Sequence, residues 1–229
     1  MGGRGASSRG STGGTFSKTA FGWDGSEIDL SGYPLKYGGK DPHLSGSSRE
    51  KIEAFEREKV KRKVENALIL DKDGNQTYTG RGGKGSVRTP TAAWQDGGVM
   101  THNHPRSDPT DKGMLGGTFS HPDTISFVKN PVKTIRAAAA EGTYSMSKTD
   151  KFDARGASAH FAKADATFNA NLKKTGRELA NKYRSKEITY SEYLKQYSNS
   201  FNKELVNLHN TYAEGASKYG YTYTLERRS

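Results

Sequence analysis

Thr101-His102-Asn103-His104-Pro105-Arg106-Ser107-Asp108-Pro109-Thr110-Asp111-Lys112-Gly113-Met114-Leu115-Gly116-Gly117-Thr118-Phe119-Ser120-His121-Pro122-Asp123 is the stretch on which the fold of this chain turns. The apolar Val99 and Met100 lead into it, so it begins as a strand, where successive side chains alternate between faces. His102 and His104 then point to one side, and two imidazoles on one side can chelate a metal. Pro105 stops the ladder. The Gly116-Gly117 turn returns the chain to Ser120 and Asp123. A carboxylate there completes a two-histidine, one-carboxylate set with a fourth position open, as a catalytic zinc requires.

Upstream, Ala67-Leu68-Ile69-Leu70 reads as a short buried strand. It turns at Asp71-Lys72-Asp73-Gly74-Asn75 into a second strand over Gln76 to Thr79. Glu65 sits at the mouth of the first strand, from where a carboxylate reaches a site built on the neighbouring one. A helix is expected from Ser47 or Ser48 to Val64, with Glu50 near the capping-box position and Ile52, Phe55 and Val60 as its apolar face. Its Glu53, Glu56 and Glu58 alternate with lysines and arginines and are expected to form solvated ion pairs. Gly80 to Ser86 fits neither phosphate-binding pattern and reads as a mobile basic rim. Thr91 to Asp96 is expected to make a helical turn that buries Trp94.

Downstream, Thr124 to Lys129 reads as a short helix closed by Asn130-Pro131. Val132 to Ala140 and Thr143 to Met146 read as a hairpin joined at Glu141-Gly142. Two longer helices follow. The second opens with the box-like Thr189-Tyr190-Ser191-Glu192 and carries a stripe of Leu194, Tyr197, Phe201, Leu205, Leu208 and Tyr212, read as core rather than as a stacking platform for bases. Tyr219, Tyr221, Tyr223 and Leu225 alternate as an edge strand.

The fold class expected is α/β: a mixed sheet flanked by helices over residues 48–148, with a helical extension over 149–229. Residues 1–47, rich in Gly and Ser, read as a flexible arm whose Phe21-Gly22-Trp23 and Tyr33 to Tyr37 can dock as short peptides. Among 229 residues only 31% are hydrophobic, and there is no cysteine. Thiolate zinc sites, disulfides and cysteine nucleophiles are therefore excluded, and any metal must be held by histidine and carboxylate. No apolar run is long enough to span a membrane, and the first residues lack a signal-peptide core, so a soluble protein is expected. The net charge of +11 favours polyanionic neighbours, nucleic acid among them.

His102-Asn103-His104-Pro105 followed by Ser120-x-x-Asp123 resembles the signature of the JAB/MPN/JAMM zinc metalloprotease superfamily. With Asp108-Pro109-Thr110 it is most similar to the RadC-type bacterial branch. The resemblance implies a zinc held by His102, His104 and Asp123, with Ser120 hydrogen-bonding the developing oxyanion and Glu65 as the general acid/base. It covers roughly residues 48–148. One departure is measurable: 14 residues lie between Pro105 and Ser120, about twice the family's spacing. Either the loop bulges, or Asp108 or Asp111 replaces Asp123; Lys112 lies near where an unexpanded motif would put its serine. His121 is expected to face solvent.

The activity implied is hydrolysis of a peptide or isopeptide bond, with a protein or peptide as substrate. Two other readings are a phage or mobile-element virion protein that keeps the fold for assembly among phage structural proteins, and a RadC-like nucleic-acid-associated protein. The location implied is the bacterial cytoplasm or the virion.

Overall fold

A computed structural model describes residues 14–106 and 108–228. Its centre is a six-stranded mixed sheet built from β5 (Asn66–Leu70), β6 (Gln76–Arg81), β7 (Val99–Asn103), β8 (Thr134–Ala138), β9 (Gly142–Lys148) and β10 (Tyr221–Arg227), in the order β10-β9-β8-β7-β5-β6. Only β7 and β8 run parallel. The connection between them is α2 (His121–Lys129), a crossover helix as parallel pairing requires. The expected mixed sheet flanked by helices is observed.

Helices cover both faces of the sheet. On one side α1 (Gly46–Lys59) packs Ile52 against Leu68, Leu70 and Val99. On the other lie α2, α3 (Ala154–Arg184) and α4 (Tyr190–Tyr219), over Ala67, Ile69, Met100, Ile135, Ala137, Tyr144 and Met146. Every residue of β5, β7 and β8 is buried, which explains why β5 is continuously apolar rather than alternating.

The face under α1 also holds charge. Arg136, fully buried in the middle of β8, donates to Glu56 through Nε (2.7 Å) and Nη2 (3.0 Å), and to Glu226 through Nη1 (3.0 Å). Thr101 donates to the same Glu56 carboxylate at 2.8 Å. Burial opposes the guanidinium's charge, but the two carboxylates outweigh it and hold its pKa above the ordinary arginine value. Glu56 is therefore not the solvated residue expected; its partners come from strands 45 and 80 residues away.

Three helix ends also differ from expectation. The chain enters α1 at Gly46, with Ser45 in the cap position but making no side-chain bond. The helix ends at Lys59 rather than Val64 because the chain must extend by Glu65, whose N–H and C=O pair with Gly83 and Gly82 at 2.8 Å each. Helix α2 begins three residues earlier than expected, at His121.

The part of the expected flexible arm that is described is folded; residues 1–13 lie outside the described residues. Strands β1 (Thr15–Ser17) and β4 (Leu35–Tyr37) pair with each other, as do β2 (Thr19–Phe21) and β3 (Glu27–Asp29). Ala20, Ile28, Leu30, Leu35 and Tyr37 join the main core. The Gly38 N–H donates to Leu225 of β10 at 3.0 Å. The Tyr33 to Tyr37 segment docks on this chain as one of the expected peptides, whereas Phe21 and Trp23 stay exposed.

Helix α4 starts at the reciprocal Thr189–Glu192 box and ends at Gly220 in the left-handed region. Phe201, Leu205, Leu208 and Tyr212 of its stripe are buried as core. At the far end of the α3–α4 hairpin the aromatic series continues outward instead: Tyr190 stacks on Tyr193, and Tyr193 on Tyr197, at 6.1 and 6.2 Å. Tyr183 joins this ladder while remaining 45% exposed. Among the described residues no helix is long and apolar enough to cross a membrane.

Candidate metal centre

Strand β7 delivers His102, and the chain leaves it with His104 on the same side, as the alternation expected. Helix α2 delivers Asp123 in its first turn. His102 Nε2 and His104 Nε2 lie 2.9 Å apart. The Asp123 carboxylate lies 3.3 Å from the first and 3.5 Å from the second. These are the only three side chains among the described residues that form such a cluster. A tetrahedral ion with ligands at about 2.0–2.1 Å separates its donor atoms by about 3.3 Å, so the observed spacings fit a single shared cation.

Hydrogen bonding orients the donors. His104 Nδ1 lies 2.9 Å from the Gly117 carbonyl. A carbonyl only accepts, so Nδ1 carries the hydrogen and Nε2 of the neutral ring keeps its lone pair toward His102 and Asp123. His102 Nδ1 is buried and faces the Arg136 carbonyl without a well-formed hydrogen bond. Burial by itself would lower the His102 pKa, but Asp123, and after it Glu65, raises it. Burial would likewise raise Asp123, whereas the two imidazoles hold it well below the usual carboxylate range. Both shifts favour positive charge where the three side chains converge, and either a proton or a divalent ion supplies it. The donor set thus fits a metal.

Glu65 and Ser120 line the same cavity of about 120 Å³ as His102 and Asp123. Glu65 lies one residue before β5, partly buried. Burial pushes its carboxyl above the ordinary value, opposed by His102 and His104 and reinforced by Asp123. Ser120 is the N-cap of α2: its Oγ donates to Asp123 Oδ2 at 2.6 Å and accepts from the Asp123 N–H at 3.4 Å. The Ser-x-x-Asp signature is thus also a capping box. In this geometry the hydroxyl hydrogen is engaged by Asp123 rather than free for a substrate oxygen, so Ser120 orients the carboxylate.

The other candidates are placed elsewhere. Asp108 and Asp111 form their own reciprocal cap on a single 3₁₀ turn, Pro109–Asp111, and Asp108 lies 3.7 Å from Lys84. Neither joins the cluster, so the expanded loop bulges and Asp123 keeps the third place. Lys112 is an exposed residue whose carbonyl accepts from Ser198 at 3.3 Å. His121 keeps 44% of its side chain exposed, as expected, with its Nδ1 3.9 Å from Asp165 of α3.

Three residues that sequence reading passed over hold the loop in place. Buried Glu141 accepts from the Gly116 and Gly117 N–H groups at 2.9 and 2.8 Å and from the Tyr144 hydroxyl at 2.8 Å. Asn202 of α4 accepts from Leu115 N–H and donates to the Gly113 carbonyl, both at 2.8 Å. Gly117 has φ of +100°, and a side chain there would collide with Leu205. Glu141 was legible only as a hairpin turn, and Asn202 as one polar residue in a helix stripe; nothing local in the sequence ties either to residue 116. Arg106, third of the three, lies over Phe201 with its guanidinium carbon 4.8 Å from the ring centroid.

A larger groove of about 700 Å³ runs between the β3 region and α4, but its lining has no histidine. Compared with protein-family models, curated proteins and solved structures, the chain matches none of them.

Proposed function

We propose that this protein is a zinc-dependent amide hydrolase of the JAMM type, acting on a peptide or isopeptide bond. The observation that carries the reading is the convergence of His102, His104 and Asp123 within 4.8 Å, with a half-buried Glu65 in the cavity that His102 and Asp123 line. Zinc, when bound, supplies Lewis acidity to a water and to the substrate carbonyl alike. Glu65 takes the attacking water's proton and delivers it to the leaving amine. A carboxyl raised by burial is the better proton acceptor near neutrality. Ser120 and the Gly117 carbonyl keep Asp123 and His104 in the orientation in which, with His102, they would hold the ion. The cavity walls, Trp94 and Met100 among them, limit competing water.

The test is metal content together with peptide hydrolysis. Parent protein should purify with, or take up, near-stoichiometric zinc, lost in Asp123→Ala and retained in Asp108→Ala. Glu65→Gln should keep zinc and lose about 10²–10⁴-fold in kcat. A parent protein that takes up no zinc when it is supplied refutes the proposal.

A second reading, association with nucleic acid, is favoured by the tyrosine ladder at the hairpin tip. Tyr193 and Tyr197 share a groove there with Lys173, Arg177 and Arg184, a pairing of stacking faces with cations that suits single strands. Affinity for single-stranded DNA falling steeply with salt supports it, and salt-independent or absent binding refutes it.

A further inference from the structure

The candidate centre opens into a cleft of about 400 Å³ between the loop after β7 and the α3–α4 hairpin. Glu65, His104 and Ser120 line it. The helical hairpin adds apolar surface to the lining, Phe168 of α3 with Phe201 and Leu205 of α4. Arg106, two residues beyond His104, lines the same cleft. One face of its guanidinium is occupied by the Phe201 ring. Its Nε is buried and has no hydrogen-bond partner.

Among the described residues no carboxylate lies within ion-pair distance of Arg106. Asp108 of the loop and Asp165 of the cleft are engaged elsewhere, with Lys84 at 3.7 Å and with His121 at 3.9 Å. A buried N–H without a partner is costly, and proteins keep few of them. A guanidinium stacked on a ring still presents its edge, a planar fork that matches a carboxylate with two parallel hydrogen bonds. A phosphate dianion is a poorer match, since Lys84 is already paired and Asp165 lines the cleft.

We propose that Arg106 is the specificity-determining residue of this cleft and pairs with a carboxylate of the substrate, whose adjoining apolar part lies against Phe168, Phe201 and Leu205. This rests on the amide-hydrolase reading and narrows its substrate class to peptides with a carboxylate close to the scissile bond. The carboxylate comes from an aspartate or glutamate side chain or from a free C-terminus. The far end of the loop, Leu115 to Gly117, is tied to Asn202 and Glu141, and the Arg106 guanidinium itself rests on the Phe201 ring of α4.

The experiment uses an N-acetylated random hexapeptide library in two forms, one ending in a free carboxylate and one in an amide. Zinc-loaded parent protein is assayed for cleavage of each, with products sequenced by mass spectrometry. Zinc-loaded Glu65→Gln is used in parallel to capture uncleaved peptides, which are sequenced in the same way. The expected result is an enrichment of about tenfold for acidic residues at one fixed distance from the cleaved bond in both libraries, or a matching preference for the free-carboxylate library. The first pattern assigns the side-chain source and the second the terminus. Introducing Arg106→Gln should abolish the enrichment in cleaved and captured pools, and Arg106→Lys should restore part of it. Cleavage or capture without carboxylate preference, or a preference that survives Arg106→Gln, overturns the assignment. Captured peptides rich in carboxylate with no cleavage by the parent protein would uphold Arg106 and refute the hydrolase reading. No cleavage and no capture would overturn both.

Discussion

Replacing His209 with glutamine should remove a specific part of the protein's acid sensitivity. His209 is buried in α4; its Nε2 lies 2.9 Å from the Lys36 carbonyl and its Nδ1 2.9 Å from the Tyr223 hydroxyl, which in turn is 2.7 Å from Thr118 Oγ1. The carbonyl fixes the hydrogen on Nε2, so Nδ1 accepts from Tyr223 and the hydroxyls of Tyr223 and Thr118 align in one direction. A proton on Nδ1 would set two donors against each other. Burial, with Lys36 adding to it and the Lys36 carbonyl opposing, lowers the pKa from 6.5 to about 4.

Between those values the unfolded chain binds a proton that the folded chain refuses, so stability rises with pH through this window and is lost as pH falls. From the two pKa values the loss relative to neutral pH is about 1 kcal/mol at pH 5.5 and about 3 kcal/mol at pH 4. Glutamine can donate to Lys36 and accept from Tyr223 but does not titrate in this range. Urea unfolding of parent and His209→Gln at pH 7, 5.5 and 4 checks the sum. The parent should lose about 3 kcal/mol more than the variant across the range. Parallel stability curves would show that His209 is not held neutral and refute the reasoning.

Glu141→Gln places an amide N–H₂ against a backbone N–H that needs an acceptor. Because this contact holds the loop whose Gly117 carbonyl orients His104, zinc affinity by chelator competition should fall about tenfold; an unchanged affinity ends the relay idea. Ser120→Ala should cost about 1 kcal/mol through loss of the α2 cap and should weaken zinc binding as well, whereas a loss of stability alone would confine Ser120 to capping. Glu56→Gln leaves Arg136 with Glu226 as its remaining carboxylate partner and should destabilise the fold by about 1.5–3 kcal/mol in urea, with a change below about 0.5 kcal/mol counting against the buried ion pair.

Local patterns led directly to β5, β7, the Trp94 turn and the Thr189 cap, because period, apolar content and capping residues act within a few positions. Strand alternation likewise put His102 and His104 on one side, and the Ser120-x-x-Asp123 pattern pointed to the carboxylate that lies beside them. The features that were missed depend on partners distant in the chain. Three-residue strands such as β1 and β4 carry almost no periodic signal and are held by β10 and α4, well over a hundred residues on. Glu56 sits among lysines and arginines like any surface acid. The clue to its burial was Arg136, a charge inside an otherwise uncharged buried strand, which needs a buried acid opposite. The arm and the acidic helix were therefore misread through neighbours that sequence proximity does not reveal.

Between β9 and β10 the chain leaves the sheet for two long helices and returns to pair beside the strand it left. That excursion supplies Asn202 and Ser198 to the bulged loop and Phe201 beneath Arg106, and the strand it leads into places Tyr223 and Leu225 at the sheet edge. In lineage terms, the long loop and the hairpin are matched parts: a recombination event carrying one without the other would inherit a loop with no brace or a brace with nothing to hold. Chains descended from a common ancestor should gain or lose both together, and a transplanted segment ending at Lys148 should arrive with its histidines present but unaligned.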